Sequence, residues 1–201
     1  MIKAFFFDNG GVMTTGGGGN ELFERLAKNL DISLERAFEL LTPLQDAYLK
    51  GEISEPELWL SIERHYGQPI IKEQRDIWNG WTDMKPLPEM VKLVQRLKDD
   101  GYIVGMLSNV IPNTESEVRR NGGYEGFDFL VLSCGVGFSK PAPEIYAIAL
   151  KHLKDIKPSE VVLLDDKEPN LVPARELGMK TILVKSSSQA INDIGELLNS
   201  V

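Results

Sequence analysis

The residues best suited to chemistry stand at the ends of short apolar segments, and the first of them is Asp8. It follows the apolar run 2–7 and precedes Asn9, Gly10 and Gly11. A carboxylate at the tip of a strand could attack a phosphate that is bound by the backbone N–H groups of a glycine-rich turn. The same residues are also typical of an ordinary turn, so this segment alone leaves both interpretations open.

Two further segments carry groups that could hold phosphate oxygens. Ser108 and Asn109 follow the apolar run 102–107, and there a hydroxyl and a backbone N–H could bind a phosphate oxygen. Lys140 precedes Pro141, and its charge could neutralise a phosphate or the attacking carboxylate. Ser-Asn pairs are also common in loops, and most lysines are solvated surface residues.

A pair of adjacent carboxylates, Asp165 and Asp166, follows the apolar run 161–164. Two such groups repel each other unless a cation or hydrogen-bond donors compensate their charge. Mg²⁺ prefers oxygen ligands and is often bound by one or two carboxylates together with phosphate oxygens. The pair therefore indicates a Mg²⁺ site, with a helix N-cap beside a surface acid as the alternative.

These candidates depend on a sheet that brings strand ends together. Apolar runs rich in β-branched and aromatic residues predict strands at 2–7, 102–107, 129–132, 161–164 and 181–184. Continuous apolar runs are typical of strands buried on both faces of a parallel sheet. Between them lie helical patterns, including a helix that begins at Pro143 and one that ends at Gly178 and can hold Pro173 only in its first turn. We therefore predict a Rossmann-like, doubly wound α/β fold with the candidate residues at one edge of its parallel sheet.

The alternation of strands and helices is interrupted after the first predicted strand. Residues 16–84 predict helices only: two amphipathic stripes, the second interrupted at Pro43, a third helix that starts at a capping box of Ser54 and Glu57, and a fourth over 70–81. The Lys-Pro-Leu-Pro segment 85–88 predicts a hinge back into the α/β pattern. We predict a small helical cap domain at 16–85 and a core domain at 1–15 and 86–201. The glycine run 16–19 is either a flexible joint between them or a loop without function.

Composition excludes several classes of protein. The 201 residues are 42% hydrophobic and 26% charged, with a formal net charge of −8 and one cysteine, Cys134. An acidic chain without a basic patch is a poor ligand for polyanions, so we expect no nucleic-acid partner. No apolar run approaches the roughly 20 residues that cross a bilayer, and the first residues lack a signal-peptide pattern. We expect a cytoplasmic monomer or homodimer whose partner is a small molecule.

The order of the four segments identifies a family. FFFDNGGV, MLSN, SKPAPEIY and LLDDKEPN resemble, in order and spacing, the four motifs of the haloacid dehalogenase-like (HAD) hydrolases, in the subgroup with a small helical cap after the first motif. The resemblance covers essentially the whole chain. It implies that Asp8 is the nucleophile and forms an aspartyl-phosphate intermediate, and that Ser108 and Lys140 are the catalytic residues that bind the phosphoryl group.

The resemblance also implies a cofactor and a binding set. Mg²⁺ would be held by Asp8, the backbone carbonyl of Gly10 and Asp166, with Asp165 supporting the metal site. Asn170 occupies the last position of the fourth motif. The complete set expected to bind the phosphorylated substrate is Asn9, Gly10, Ser108, Asn109 and Lys140.

One position departs from the pattern of the family. Most of its phosphatases have a second Asp two residues after the nucleophile, as general acid and base, where this chain has Gly10. General acid catalysis contributes about 10² to 10⁴ in rate. Three explanations stay open: a substrate with a good leaving group such as an anomeric sugar phosphate, a proton supplied by the cap or the substrate, or a protein that binds phosphorylated ligands without turnover.

The sequence therefore predicts a Mg²⁺-dependent phosphatase that hydrolyses a small organic phosphomonoester, with a sugar phosphate as the expected class. One alternative is a 2-haloacid dehalogenase, which also lacks the second Asp but needs no metal and lacks the acidic pair seen at Asp165 and Asp166. The other is a catalytically silent phosphate-binding or regulatory protein.

Overall fold

The computed structural model describes residues 1–15, 20–78 and 85–199. Its strands form one parallel sheet in the order β3-β2-β1-β4-β5. The strands are β1 (Ala4–Phe7), β2 (Ile103–Ser108), β3 (Phe129–Leu132), β4 (Val161–Asp165) and β5 (Lys180–Leu183). Each predicted strand is confirmed, with ends that shift by no more than two residues. This arrangement confirms the predicted α/β fold.

Helices cover both faces of the sheet. They are α4 (Pro88–Asp99), α5 (Pro112–Arg120), α6 (Ser133–Val136), α7 (Pro143–Lys151), α8 (Glu168–Glu176) and α9 (Ser187–Asn199). Alternate residues of β1 point to opposite faces, because the side-chain period of a strand is two. Phe5 and Phe7 pack in the apolar cluster under α4 and α9, whereas Ala4 and Phe6 pack in the cluster under α7 and α8. The sheet is therefore buried on both sides, as its continuous apolar runs predicted.

The segment between β1 and α4 forms helices around an apolar cluster of its own. These are α1 (Glu21–Leu30), α2 (Leu34–Leu49) and α3 (Glu55–Tyr66). Leu26, Leu41 and Leu58 are buried in this cluster, which Ile111 joins from outside the segment. The predicted capping box starts α3: the backbone N–H of Ser54 donates to Glu57 Oε2 at 2.7 Å. No helix in the described ranges combines the length and apolar character needed to span a membrane.

Two prolines lie inside helices, which the sequence did not predict. Pro43 lies inside α2 rather than at its end, and Pro173 lies in the interior of α8 rather than in its first turn. A proline inside a helix removes one hydrogen bond and costs about 3 kcal/mol. The buried residues beside each proline, Leu41 in α2 and Ala174 in α8, offset that cost through packing. Both helices therefore continue through the proline.

The predicted fourth helix over 70–81 is wrong. Only a short 3-10 helix forms there, over Lys72–Arg75, and residues 79–81 lie outside the described ranges, as does the glycine run 16–19. Side chains take the backbone carbonyls that a helix would need. Arg75 Nε donates to the carbonyl of Ile70 at 2.9 Å, and Asn29 Nδ2 donates to those of Gln74 at 3.2 Å and Asp76 at 3.1 Å.

The two connections between the helical segment and the sheet lie side by side. The backbone N–H of Thr15 donates to the carbonyl of Lys85, and that of Leu87 to the carbonyl of Met13, both at 2.8 Å. Pro88 then begins α4 at its first turn, where its missing N–H removes no hydrogen bond. The chain thus leaves and re-enters the α/β part at one place.

Candidate active site

The carboxyl ends of β1, β2 and β4 bring the predicted reactive groups together. Asp8 follows β1, Ser108 ends β2 and Asp165 ends β4. Ser108 Oγ donates to Asp8 Oδ1 at 2.8 Å. Lys140 Nζ lies 3.0 Å from the same oxygen and 2.5 Å from Asp165 Oδ2. Ser108 and Lys140, each 100 or more positions from Asp8 in the chain, therefore both contact the Asp8 carboxylate.

Lys140 reaches this point from the loop between α6 and α7. The side-chain amide of Asn109 fixes this loop by hydrogen bonds to both backbone groups of Lys140. Its Nδ2 donates to the Lys140 carbonyl at 2.8 Å, and its Oδ1 accepts from the Lys140 N–H at 2.7 Å. Asn109 was predicted to bind phosphate. With its side chain committed to Lys140, its backbone N–H is the group left for that role.

Neighbouring carboxylates keep the side chain of Lys140 positively charged. The residue is buried, and burial lowers the pKa of its ammonium, but the carboxylates of Asp8 and Asp165 outweigh this effect and raise the pKa above its usual value. The site therefore presents a permanent cation next to the carboxylate of Asp8.

Asp165 is fully buried and its carboxylate is surrounded by donors. Oδ1 accepts from the backbone N–H of Lys167 at 2.9 Å and from Asn170 Nδ2 at 2.9 Å, and Oδ2 accepts from Lys140 Nζ. Asn170 is in turn fixed by Tyr146, whose hydroxyl donates to its backbone carbonyl at 2.6 Å. Asp165 therefore orients its neighbours through hydrogen bonds, and its support of a metal site stays a prediction. Tyr146 had no signal in the sequence, because a tyrosine in an apolar helix indicates only core packing.

Asp166 has the opposite environment. Its Oδ1 is buried and has no hydrogen-bond partner among the described residues. Burial, followed by the charge of Asp8, raises the pKa of its carboxyl. Gly11 has a φ of +75°, and a Cβ there would lie 2.7 Å from Asp166 Oδ2, so only glycine leaves room for this carboxylate.

Three carboxylates lie close enough together for a divalent cation to bind among them, although the oxygens of Asp165 already accept hydrogen bonds. Asp8, Asp165 and Asp166 each offer one oxygen within 4.8 Å of the others. Such hard oxygen donors suit Mg²⁺, and a cation would satisfy the unpartnered oxygen of Asp166 and offset the repulsion from Asp8.

A cavity of about 270 Å³ opens above Asp8. All five residues predicted to bind the phosphorylated substrate line it: Asn9, Gly10, Ser108, Asn109 and Lys140. Leu49, at the end of α2, brings the helical segment into the wall of the same cavity. The sequence did not indicate Leu49, Thr114 or Lys167 as lining residues, because each depends on how the helices pack over the sheet.

Known proteins resemble this chain over different spans. A segment of 68 residues, 34% of this chain, is 53% identical to the bifunctional epoxide hydrolase 2 of Rattus norvegicus, but it covers only 12% of that protein. The glyceraldehyde 3-phosphate phosphatase of Methanothermobacter thermautotrophicus is 28% identical over 92% of this chain and 87% of its own length.

The fold also matches solved structures. A variant of a HAD family enzyme from Bacteroides thetaiotaomicron, in complex with magnesium and inorganic phosphate, has a TM-score of 0.74 and 26% identity. The match covers 92% of this chain and 95% of that one. The family model of the haloacid dehalogenase-like hydrolases matches residues 2–178, a range that contains all four motifs. This chain therefore belongs to the haloacid dehalogenase-like hydrolases.

Proposed function

We propose that this protein is a Mg²⁺-dependent phosphatase that hydrolyses a small organic phosphomonoester, with a sugar phosphate as the favoured class. The observation that carries the proposal is the Asp8 carboxylate, which is anchored by Ser108 and Lys140 in a cavity beside the unsatisfied oxygen of Asp166. The similarity to a glyceraldehyde 3-phosphate phosphatase and to an enzyme in complex with magnesium and phosphate supports the same chemistry.

Asp8 is suited to nucleophilic attack on phosphorus. Its Oδ1 is held by Ser108 and Lys140, which leaves Oδ2 without a partner among the described residues. Attack forms an aspartyl phosphate and breaks the bond from phosphorus to the leaving oxygen, and water then hydrolyses the acyl phosphate. Lys140 stabilises charge that develops on the phosphoryl oxygens.

The metal would be held by Asp8, the backbone carbonyl of Gly10 and Asp166. When bound, Mg²⁺ draws charge from the phosphoryl group and helps to align it for in-line attack. Asp165 keeps its role as the partner of Lys140.

Gly10 supplies no proton to the leaving group. The leaving oxygen must then take its proton from water or from the substrate, and an anomeric sugar oxygen needs this proton less than an ordinary alkoxide does. This favours anomeric sugar phosphates within the proposed class. The same glycine favours a second candidate, a protein that binds phosphorylated ligands without turnover.

We also propose the division into a core domain at 1–15 and 86–201 and a helical cap domain at 16–85. The separate apolar cluster of α1, α2 and α3 supports it, as does the pairing of Thr15 with Lys85 where the chain crosses between the two parts. The cap would close the cavity through Leu49.

The first experiment is hydrolysis of p-nitrophenyl phosphate with Mg²⁺ and with EDTA, in the wild type and in Asp8→Asn. We expect Mg²⁺-dependent release of nitrophenol that falls by at least about 10³ in the variant, since the nucleophile is lost. Asp155→Asn, which removes an exposed carboxylate at the opposite edge of the sheet, is the matched control and should keep full activity. Full activity of Asp8→Asn would overturn the proposal, and phosphate binding without any turnover in the wild type would establish the second candidate instead.

A further inference from the structure

We propose that Thr114 and Lys167 form a specificity subsite in the cavity, and that the leaving alcohol of the substrate carries a second oxyanion, a carboxylate or another phosphate. This inference rests on the proposed phosphatase function and specifies its substrate class. Both residues line the cavity that contains Asp8, and neither belongs to the set expected to bind the transferred phosphoryl group.

Thr114 presents a hydroxyl that the described part of the protein leaves unused. It is the third residue of α5 and is only 3% exposed. A threonine in a helix commonly donates to the carbonyl four residues earlier, here that of Val110. That carbonyl instead accepts from Ser133 Oγ at 3.1 Å, and the Thr114 hydroxyl has no hydrogen-bond partner among the described residues. Because Thr114 lines the cavity and its hydroxyl donor is unused, this group is suited to a ligand there.

Lys167 presents a cation at the same cavity. Its backbone N–H donates to Asp165 Oδ1 at 2.9 Å, which fixes the residue beside the reacting groups. Its side chain is exposed, and no carboxylate of the described residues lies within 4 Å of its ammonium, although its charge acts on Asp166 from farther away. Lys140 differs, because Asp8 and Asp165 already neutralise it. Lys167 is therefore the charge available to a substrate.

The remaining lining selects against a neutral polyol in this part of the cavity. Leu49, Val110 and Ile111 form an aliphatic wall, and Asp8 is the only carboxylate among the described lining residues. A hydroxyl donor and an ammonium with no second carboxylate among the described lining residues match an oxyanion. The cavity of about 270 Å³ accommodates a substrate of a few carbons or a compact ring. A phosphorylated sugar acid or a small sugar bisphosphate meets both conditions and stays within the proposed class of substrate.

The test compares two substrates that differ only in the second group, 3-phosphoglycerate and glycerol 3-phosphate. We expect the wild type to prefer 3-phosphoglycerate in kcat/KM, mainly through KM. Lys167→Met should lower kcat/KM for 3-phosphoglycerate by about 10- to 100-fold more than for glycerol 3-phosphate, the range for a lost charged hydrogen bond, because any effect of its charge on Asp166 is common to both substrates. Thr114→Val should reduce the same preference by several fold, and Lys167→Arg and Thr114→Ser should restore most of it. Propane-1,3-diol bisphosphate, compared with the monophosphate, distinguishes a second phosphate from a carboxylate.

The control is Lys180→Met, which makes the same charge change at the exposed start of β5, away from the cavity. It should leave both substrates unchanged. An equal loss for both substrates in Lys167→Met, or no wild-type preference for either oxyanion, would overturn the subsite while p-nitrophenyl phosphate hydrolysis still supports the phosphatase. If no ester is turned over, calorimetry measures the affinities of Asp8→Asn for 3-phosphoglycerate and for glycerol 3-phosphate, and these affinities test the subsite in the same way. A preference removed by Lys167→Met supports the subsite, and equal affinities overturn it.

Discussion

Asp165 and Asp166 are adjacent in the sequence, yet their carboxylates have opposite environments. Asp165 accepts hydrogen bonds from Lys140, Asn170 and the backbone of Lys167, whereas Asp166 keeps a buried oxygen without a partner among the described residues. The first arrangement stabilises a charged carboxylate without a metal. The second contains an unfavourable interaction that a cation would relieve, which supports the proposed role of Asp166 as a metal ligand.

Asp166→Asn should make the metal-free protein more stable and its metal site weaker. The pKa of Asp166 is raised from about 3.8 in the folded state, chiefly by burial and then by Asp8, so the folded protein holds this proton more tightly than the unfolded chain does. The stability of the wild type therefore falls as pH rises through the window between the two pKa values, and the penalty remains at neutral pH. We expect a higher melting temperature for the variant in EDTA at pH 7, a difference that vanishes near pH 3, and a smaller gain on adding Mg²⁺.

Thermal unfolding between pH 3 and 8, with EDTA and with Mg²⁺, measures both effects. Asp155→Asn serves again as the control and should follow the wild type. A lower melting temperature of Asp166→Asn in EDTA at pH 7 would contradict the unfavourable environment inferred for the buried, unpartnered oxygen of Asp166.

The sequence could predict the positions of Asp8, Ser108 and Asp166 because each comes just after a continuous apolar run that is typical of a buried strand. It could not predict the side-chain contacts of Asn109 or the lining role of Thr114. Those depend on which loop and which helix face the cavity, and neither is encoded in local periodicity. The predicted roles of the site residues stay predictions until the substitutions above are measured.

At the scale of elements, β2 contains a glycine for a packing reason. Gly105 lies opposite Phe129 of β3 in the sheet register, and a Cβ at Gly105 would lie 2.4 Å from Cζ of that ring. The ring also packs edge-on against Phe6 at 5.6 Å and stacks on His152 at 4.5 Å between ring centres. The glycine therefore makes room for an aromatic side chain that joins β1, β3 and the end of α7.

Gly105→Ala should reduce the free energy of unfolding by about 1 to 3 kcal/mol, since the added methyl group displaces the Phe129 ring in a packed layer. Phe129→Leu in the same background should recover part of the loss. Gly195→Ala, in α9, adds the same atom where nothing lies within 4 Å and should instead stabilise the protein by about 0.5 to 1 kcal/mol. Urea unfolding of the four proteins separates the cases, and equal effects of the two alanines would rule out the steric explanation.

The strands and helices could be predicted from the sequence where their buried residues form a regular apolar pattern. The strands and α4 have continuous or amphipathic apolar patterns, and the structure confirms them. By contrast, α5 has Thr114 as its one buried residue, so no apolar stripe indicated a helix there. The continuation of α2 past Pro43 depends on packing against α1 and α3, which outweighs a local signal to stop.

At the scale of the whole molecule, a polar network joins the helical segment to the α/β part. Glu55 of α3 accepts from the indole nitrogens of Trp59 at 3.2 Å and Trp78 at 2.8 Å, and from Asn113 Nδ2 of α5 at 2.8 Å. Asn113 also accepts from the hydroxyl of Tyr48 in α2. Asn113 therefore binds two helices of the proposed cap at once, next to Thr114 and the cavity.

Asn113→Leu should loosen the cap without disturbing the metal site. The substitution keeps the size of the side chain but leaves Glu55 and Tyr48 without their shared partner, so states in which Leu49 no longer covers the cavity become more populated. We expect KM for p-nitrophenyl phosphate to rise several fold to about tenfold, whereas the rise in melting temperature caused by Mg²⁺ stays that of the wild type, because Asp8 and Asp166 do not contact this network.

Tyr48→Phe should show a smaller increase in KM, and the double variant should be less than additive, since both changes remove the same hydrogen bond. Ser116→Ala, an exposed position of the same helix, should change neither quantity. A loss of the Mg²⁺ effect with an unchanged KM would instead show that Asn113 supports the metal site and not the contact between cap and core.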